Sequence, residues 1–384
     1  MSAAIVVLGL GLIAFVLHDG FEVMLLPRRV TRSFRLARFF YIHAWRSWRT
    51  LALVVASGKR RGVLLSWFGP MSVILLLMIW ASCLIAGFAA IHRGLGTRMV
   101  LDDGRILTAA ECFYFSGVTF FTLGFGDIAP LGPVGRLLAV AEAGIGFGFL
   151  AAVIGYLPVF YQAFSDREIA ISMLDARAGS PPTAATLLLR LAPARDHLAI
   201  LDRYFQEWER WSARLLESYL SFPLLSFYRS QHDNQSWLAA MTAILDSSAL
   251  VIAAAKGVDP YQAQLAFAMS RHAIVDLCQV FGIRPIVDEP DRFPGDRMAA
   301  LTEEFQIAGL DVREGEGVAA KFAELRRLYE PFLRALSAHL LLPLPPVMPE
   351  AKVVDNWQTS AWMKRAGSIG ELARAEPGDD HVDA

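Results

Sequence analysis

The chain has 384 residues, of which 55% are hydrophobic and 19% are charged, and its mean hydropathy is +0.41. Soluble globular proteins carry about 25% charged residues, so this composition excludes a purely soluble protein and favours a membrane protein with a soluble part. The formal net charge of -1 gives no evidence for a nucleic-acid partner. Cys83, Cys112 and Cys278 are far apart and lack metal-ligand spacing, which predicts free thiols and no disulfide framework.

Residues 3–17 contain only apolar side chains and glycine. About 20 such residues cross a bilayer, so we expect an N-terminal transmembrane helix within residues 1–27. No basic residue precedes the apolar run and no small-x-small cleavage site follows it, so the pattern of a secretory signal peptide is not met.

Three ionisable residues, His18, Asp19 and Glu22, lie near the end of this predicted span. Ionisable groups at membrane depth are functional candidates. The alternative, which we favour, places them at the headgroup level, where they pair with Arg28 or Arg29.

Residues 28–62 form a basic segment. Residues 28–61 contain ten Arg and Lys residues and no Asp or Glu, with aromatic residues interleaved. This pattern predicts a cytoplasmic, interfacial segment whose partner is anionic lipid rather than nucleic acid. By the positive-inside rule, the preceding span then runs from outside to inside.

A second apolar stretch begins a predicted pore module over residues 63–164. Residues 62–91 carry no charge, and we expect an outer helix over residues 70–92. A polar loop follows.

Thr108 and Glu111 then have capping-box spacing, which predicts a helix over residues 108–121. This helix is too short to span a membrane, so a re-entrant helix is indicated.

Residues 122–127 follow this short helix, and glycine occupies every second position at Gly124 and Gly126. Glycine adopts left-handed backbone angles without a Cβ penalty. Such an alternation lets successive carbonyl oxygens point the same way, and a row of these oxygens can replace the water around an ion.

These residues resemble the selectivity filter of the potassium channel family, whose pattern is Thr-Val-Gly-Tyr-Gly-Asp. The six positions here are Thr122, Leu123, Gly124, Phe125, Gly126 and Asp127. They depart from the family pattern at Leu123 and Phe125. The resemblance is to bacterial-type members with one pore loop between two spans. It implies that K⁺ is the conducted ion, bound by backbone oxygens of Thr122, Leu123, Gly124 and Phe125.

The resemblance also implies supporting residues around the filter. Tyr114 and Phe115 would pack around it, and Tyr114 would contact Asp127. The carboxylate that some members carry at the position of Val118 is missing. Glu142 either faces the cavity or braces the filter from behind, and the family register favours the brace.

An inner helix is predicted over residues 136–164. Its midpoint carries Gly144, Gly146 and Gly148. They are candidates for the gating hinge of the family, with Gly146 nearest the usual site. Close helix packing through small residues explains such a cluster equally well.

One filter copy per chain implies a homotetramer, since a carbonyl-lined axial pore needs four loops. The fold class is therefore an all-α membrane protein: a tetrameric pore-loop channel module with an α-helical cytoplasmic domain. We expect a multi-pass protein of the plasma or inner membrane, with its N-terminus outside and its C-terminus cytoplasmic.

The remaining sequence predicts an α-helical cytoplasmic domain over residues 165–342 and a proline-rich mobile tail over residues 343–384. Helices are expected within residues 187–220, restarting near Pro193, and at 234–256, 260–281, 296–308 and 318–342. Strand patterns are scarce and no glycine-rich βαβ turn occurs, so a Rossmann-type domain and an organic cofactor are not expected.

The predicted function is passive, potassium-selective conduction, gated by an unidentified signal through the cytoplasmic domain. No catalytic motif is found, so the chain is not expected to be an enzyme. The alternatives are a weakly selective channel and a non-conducting membrane signalling or scaffold protein built on the same module.

Overall fold

The structure is a computed structural model that describes residues 2–24, 35–100, 107–194, 197–230, 234–257, 259–288 and 290–349. These residues are predominantly helical. The chain divides into two compact units, Met1–Gln162 and Ala163–Ala384. We call them the first unit and the second unit.

The first unit holds five complete helices, most of a sixth and one small sheet. The helices are α1 (Ala3–Met24), α2 (Leu36–Val55), α3 (Gly58–Ser66), α4 (Phe68–Leu95), α5 (Ala109–Phe120) and α6 (Pro133–Ala178). Strand β1 (Met99–Val100) pairs antiparallel with β2 (Ala129–Pro130).

Helix α4 is slightly longer than the outer helix predicted over residues 70–92. Pro70 lies in its first turn, where a missing N–H costs no hydrogen bond. It ends at Gly96, which has φ +60° and caps the helix in the left-handed region.

Helix α1 packs closely along α4 through glycines. A Cβ atom at Gly9 would lie 2.6 Å from the carbonyl oxygen of Gly87, and one at Gly94 would lie 2.6 Å from the Val6 side chain. Only small residues allow helix backbones to approach this closely.

Asp19 joins three helices at the other end of α1. Its Oδ2 atom accepts hydrogen bonds from the Trp80 indole of α4, at 3.0 Å, and from the backbone N–H of Ala37 at the start of α2, at 3.1 Å. Asp19 is only 3% exposed. A carboxylate at a helix N-terminus satisfies one of its free N–H groups and complements its dipole.

Glu22 lies 3.4 Å from the guanidinium of Arg35 and 3.6 Å from His18. The acidic residues of α1 therefore have partners both on α1 and beyond it among the described residues. Arg28 and Arg29, the partners predicted from the sequence, lie outside the described residues, as does the rest of 25–34.

Helix α6 does not end at residue 164, where the sequence predicts the end of the inner helix. It continues to Ala178 although Pro158 lies inside it, and residues 165–178 contain no proline or glycine that would end it. Gly179, with φ +81°, follows it and donates its N–H to the carbonyl of Asp175 at 2.8 Å.

The second unit contains the end of α6 and seven further α-helices in the described residues. They are α7 (Ala184–Leu191), α8 (His197–Ser221), α9 (Trp237–Ala254), α10 (Tyr261–Phe281), α11 (Arg297–Ile307), α12 (Glu316–Arg327) and α13 (Glu330–Leu340). The only β structure described there is an isolated bridge between Ala255 and Val312, as expected for a domain that is not of the Rossmann type.

Two details of the second unit differ from the sequence prediction. The helix expected over residues 318–342 is split into α12 and α13, and Pro331 lies in the first turn of α13. Residues 343–349 are packed: Val347 is fully buried, and its carbonyl accepts the N–H of Ala185 at 3.0 Å. The packed unit thus extends past the predicted start of the tail at 343, and residues 350–384 lie outside the described residues.

Helix α9 is the central helix of the second unit and is buried on nearly every side. Its Asp246 accepts hydrogen bonds from Arg292 and from the hydroxyl of Tyr329. Arg292 also donates to Glu330 at 2.8 Å, so one buried network of charges connects helices that are distant in sequence.

Four described helical segments are long and apolar enough to cross a membrane: Ala3–Met24, Gly58–Leu95, Pro133–Ala178 and Trp237–Ala254. In the fourth, 94% of the residues are buried within the protein, which matches its position at the centre of the second unit. The prediction of an all-α membrane protein is confirmed.

Candidate functional site

The short helix α5 begins with the predicted capping box. Thr108 Oγ1 accepts the N–H of Glu111 at 3.3 Å, and the Glu111 carboxylate accepts the N–H of Thr108 at 2.7 Å. Two N–H groups that lack helical partners are thereby satisfied. Both sequence signals, the capping pair and the short apolar run, are local, and α5 (Ala109–Phe120) lies within the residues 108–121 that they indicate.

The C-terminal end of α5 leads directly into the filter segment, residues 122–127. The N–H of Thr122 donates to the carbonyl of Thr119 at 3.0 Å, and the N–H of Leu123 donates to that of Val118 at 2.9 Å. These bonds attach the filter segment to the last turn of the helix, so a displacement of α5 displaces the filter segment.

Positive φ angles occur at every second residue of the filter segment. Thr122, Gly124 and Gly126 have φ of +56°, +60° and +79°, whereas Leu123 and Phe125 do not have positive φ. Left-handed angles at every second residue are the backbone pattern predicted for a row of carbonyl oxygens. Thr122 carries a β-branched side chain at positive φ, a strained conformation that is typical of functional sites.

A Cβ atom at Gly124 or Gly126 would meet no atom within 4 Å. Glycine is therefore favoured at both positions by the backbone angle rather than by lack of space. Within one chain the whole filter segment is exposed, including 57% of Leu123 and 65% of Phe125.

Tyr114 and Asp127 are joined across the filter segment. The Tyr114 hydroxyl donates to the Asp127 carboxylate at 2.9 Å. Tyr114 belongs to α5 and Asp127 is the last filter residue, so this hydrogen bond closes the loop between them.

Phe115 and Ser116 are buried residues of α5. Phe115, expected to pack around the filter, instead contacts His92 of α4. Glu142 on α6 is fully buried, and its Oε2 atom lies 3.6 Å from Nε2 of His92 on α4. The His92 ring meets the ring of Phe115 edge to face, with centroids 5.1 Å apart. Glu142 is therefore packed behind the pore helix rather than facing a cavity.

His92 is a site residue that the sequence analysis missed. It is only 1% exposed. The available signal was one histidine at the end of an apolar helix and one glutamate in the next long apolar run. Their proximity depends on the packing of helices 50 residues apart in sequence.

The three glycines of the inner helix have different surroundings. A Cβ atom at Gly146 would lie 1.9 Å from the carbonyl oxygen of Phe120, whereas Gly144 and Gly148 have no neighbour within 4 Å. Gly146 therefore serves close packing of α6 against the end of α5. Helix α6 is continuous through all three positions.

Among the described residues, no group of three or more His, Cys, Asp or Glu side chains could hold a metal ion.

A short capped helix, an alternating glycine loop and a long apolar helix on each side together resemble the pore domain of an ion channel. The comparison of sequences agrees, because residues 73–163 match the model of an ion channel family. These residues run from the first third of α4 through the filter segment and into α6.

Three curated relatives have sequences similar to part of this chain. An uncharacterized membrane protein of Bacillus subtilis, YdjJ, is 28% identical over 186 residues, 48% of this chain and 53% of the relative. Protein LctB of Bacillus caldotenax and of Geobacillus stearothermophilus is in each case 30% identical over 87 residues, 20% of this chain and 64% of the relative. The chain thus spans about half to two thirds of these relatives. No solved structure matches.

Proposed function

We propose that this protein is a potassium-selective ion channel in which four copies of the chain surround one pore. The observation that carries the proposal is the alternation of positive φ at Thr122, Gly124 and Gly126, on a loop attached to a short capped helix between two apolar helices. Backbone carbonyls in such a loop can replace the hydration shell of K⁺.

K⁺ is the transported ion in this proposal, and the backbone oxygens of Thr122, Leu123, Gly124 and Phe125 bind it. One chain supplies only one such row. Rings of oxygens around an axis require several chains with closed symmetry, and four are proposed here. The exposure of the whole filter segment within one chain supports this assembly.

The proposed location is a plasma or inner membrane, with α1, α4 and the first part of α6 as spans. Helix α2 supports the orientation: its exposed side carries Arg38 and Arg46 beside Phe39 and Ile42, as expected for a helix in an anionic headgroup layer. By the positive-inside rule, the N-terminus is outside and the second unit is cytoplasmic.

The second unit is proposed to gate the pore through α6. Arg167, near the C-terminal end of α6, is 5% exposed and donates to the hydroxyl of Tyr219 at 2.8 Å and to the carbonyls of Leu225 and Tyr228 at 2.9 and 3.0 Å. Because of these bonds, a rearrangement of the second unit would act on the helix that also lines the proposed pore.

The proposal is tested by ion flux in vesicles that contain the purified full-length protein. We expect K⁺ flux with little Na⁺ flux. Gly124→Ala is expected to abolish selective flux, because a residue with a Cβ atom is strained at φ +60°. Gly132→Ala is the matched control, since Gly132 has neither positive φ nor a close neighbour.

Equal Na⁺ and K⁺ flux would contradict potassium selectivity. Absence of flux in a folded, reconstituted protein would contradict the channel function and favour a membrane signalling or scaffold role.

A further inference from the structure

A buried polar cluster lies behind the pore helix where α4, α5 and α6 meet. His92, Ser116 and Glu142 are at most 1% exposed. Nε2 of His92, Oγ of Ser116 and both carboxylate oxygens of Glu142 have no hydrogen-bond partner within 3.5 Å among the described residues. Buried polar atoms are rarely left in this state in structural cores, so this cluster calls for an explanation.

The cluster holds one acid and one base. Nε2 of His92 is 3.6 Å from Oε2 of Glu142, while its other ring nitrogen lies 3.3 Å from the hydroxyl of Thr97. The other titratable groups on the packed faces and outer ends of the three helices are Cys83, Arg93, Glu111, Cys112, Tyr114 and Arg136. Of these, only Cys112 is buried in the described structure. Helix α1, which packs on α4, carries no titratable side chain before His18.

Burial in a low-dielectric site disfavours net charge. A pair that holds one proton is neutral overall, as a histidinium with a carboxylate or as a neutral histidine with a carboxylic acid. Gain of a second proton or loss of the first leaves an uncompensated charge against α5. The pair contacts that helix through the Phe115 ring, and the filter segment is attached to its last turn.

We propose that His92 and Glu142 act as a coupled pair that positions the pore helix, and through it the filter, while the two side chains share a single proton. The inference rests on the proposed channel function and adds positioning residues and a regulating ion, the proton, to it. Neither residue touches the conducted ion.

The test uses the full-length protein in vesicles, with equal pH on both sides and K⁺ flux as the readout. The variants are His92→Gln, Glu142→Gln and the double variant. Each single change leaves one buried ionisable group alone, and we expect flux to fall about tenfold at neutral pH because a broken buried pair is costly.

The pH dependence distinguishes a proton-sharing pair from ordinary packing. In His92→Gln, Glu142 is neutral only when protonated, so flux should rise as the pH is lowered. In Glu142→Gln, His92 is neutral only when deprotonated, so flux should rise as the pH is raised. The double variant has no buried titratable pair, and its flux should exceed that of either single variant and vary less with pH.

His272→Gln is the matched control. His272 also lies 3.6 Å from an acid, Asp276, but its side chain is 59% exposed. This variant should keep the wild-type profile. Should the single variants fail to assemble, the reversed pair, His92→Glu with Glu142→His, decides: recovery of assembly and flux supports the proposal, and their loss overturns it.

Parallel pH profiles in the two single variants, or a double variant whose loss is the product of the single losses, would overturn the inference while the channel function stands. Absence of K⁺ flux from the wild-type protein at every pH would overturn both.

Discussion

Gly146 of the inner helix lies directly against the backbone of Phe120 at the end of the pore helix. A Cβ atom at Gly146 would come within 1.9 Å of the Phe120 carbonyl oxygen. This contact fixes how closely α6 approaches the helix that carries the filter. The neighbouring atom belongs to the backbone, so a side-chain rotamer change could not relieve a clash with a Cβ atom at Gly146.

We therefore expect Gly146→Ala to force α5 and α6 apart and to abolish selective K⁺ flux. Overpacking of this kind destabilises by about 1–3 kcal/mol. The measurements are ion flux in vesicles and the melting temperature of the purified protein. Gly148→Ala, which meets no atom within 4 Å, should change neither by much. Equal behaviour of the two variants would contradict the packing role and favour a hinge shared by the glycine cluster.

The contrast among these glycines shows how far the sequence can be interpreted. Local patterns predicted the capping box at Thr108 and Glu111, and the glycine alternation of the filter segment, because both depend on neighbours within a few residues. The glycine cluster was visible too, but which member faces α5 depends on the rotation of α6. That rotation is set by tertiary packing.

The difference between local and tertiary determinants also explains the features that the sequence did not predict. His92 and Glu142 meet because α4 and α6 pack side by side, and nothing local in either helix signals the other. Glu22 has its ion pair with Arg35, a residue beyond the arginines expected from proximity in sequence. The break between α12 and α13 falls inside a stretch whose apolar pattern continues, so periodicity alone predicted one helix.

Tyr114→Phe removes the hydrogen bond from α5 to Asp127 while it keeps the ring. In the single chain this hydrogen bond is exposed to solvent, so its role is to hold the filter in position rather than to stabilise the fold. We expect the filter to lose selectivity or to stop conducting when K⁺ is low. The check is the ratio of K⁺ to Na⁺ flux at several K⁺ concentrations. Tyr161→Phe, an exposed tyrosine of α6, is the control, and an identical ratio in both variants would argue against a support role for Tyr114.

Trp80→Phe tests the connection of α1 to the pore domain. The change removes the indole N–H that donates to Asp19, whose carboxylate keeps only its bond to Ala37. We expect a loss of about 1.5–3 kcal/mol from the missing charged hydrogen bond, with faster hydrogen exchange in α1. Trp67→Phe is matched in chemistry but affects a side chain that is 58% exposed. Unchanged exchange in α1 of the Trp80 variant would show that glycine packing alone holds this helix.

The buried charge network of the second unit predicts a loss of stability in acid. Burial acts to raise the pKa of Glu330, but the hydrogen bond and charge of Arg292, with Arg326 and Arg334, outweigh it and lower the pKa to about 2. An unfolded glutamate titrates near pH 4.3. The folded pKa is thus the lower one, so the stabilisation is complete above about pH 4.3 and is lost as the pH falls towards 2.

Between pH 6 and pH 3, Glu330 should account for a decrease of roughly 2 kcal/mol in the free energy of unfolding. Glu330→Gln should be less stable than wild type at pH 6, and the difference should shrink at pH 3. Denaturant titrations of the full-length protein at the two pH values, followed by tryptophan fluorescence, measure this change. Glu324→Gln is the control, because Glu324 pairs with Lys321 on the surface with both side chains about half exposed, and such pairs contribute little. A difference between Glu330→Gln and wild type that stays constant with pH would mean that Glu330 stabilises the second unit by packing rather than by its charge.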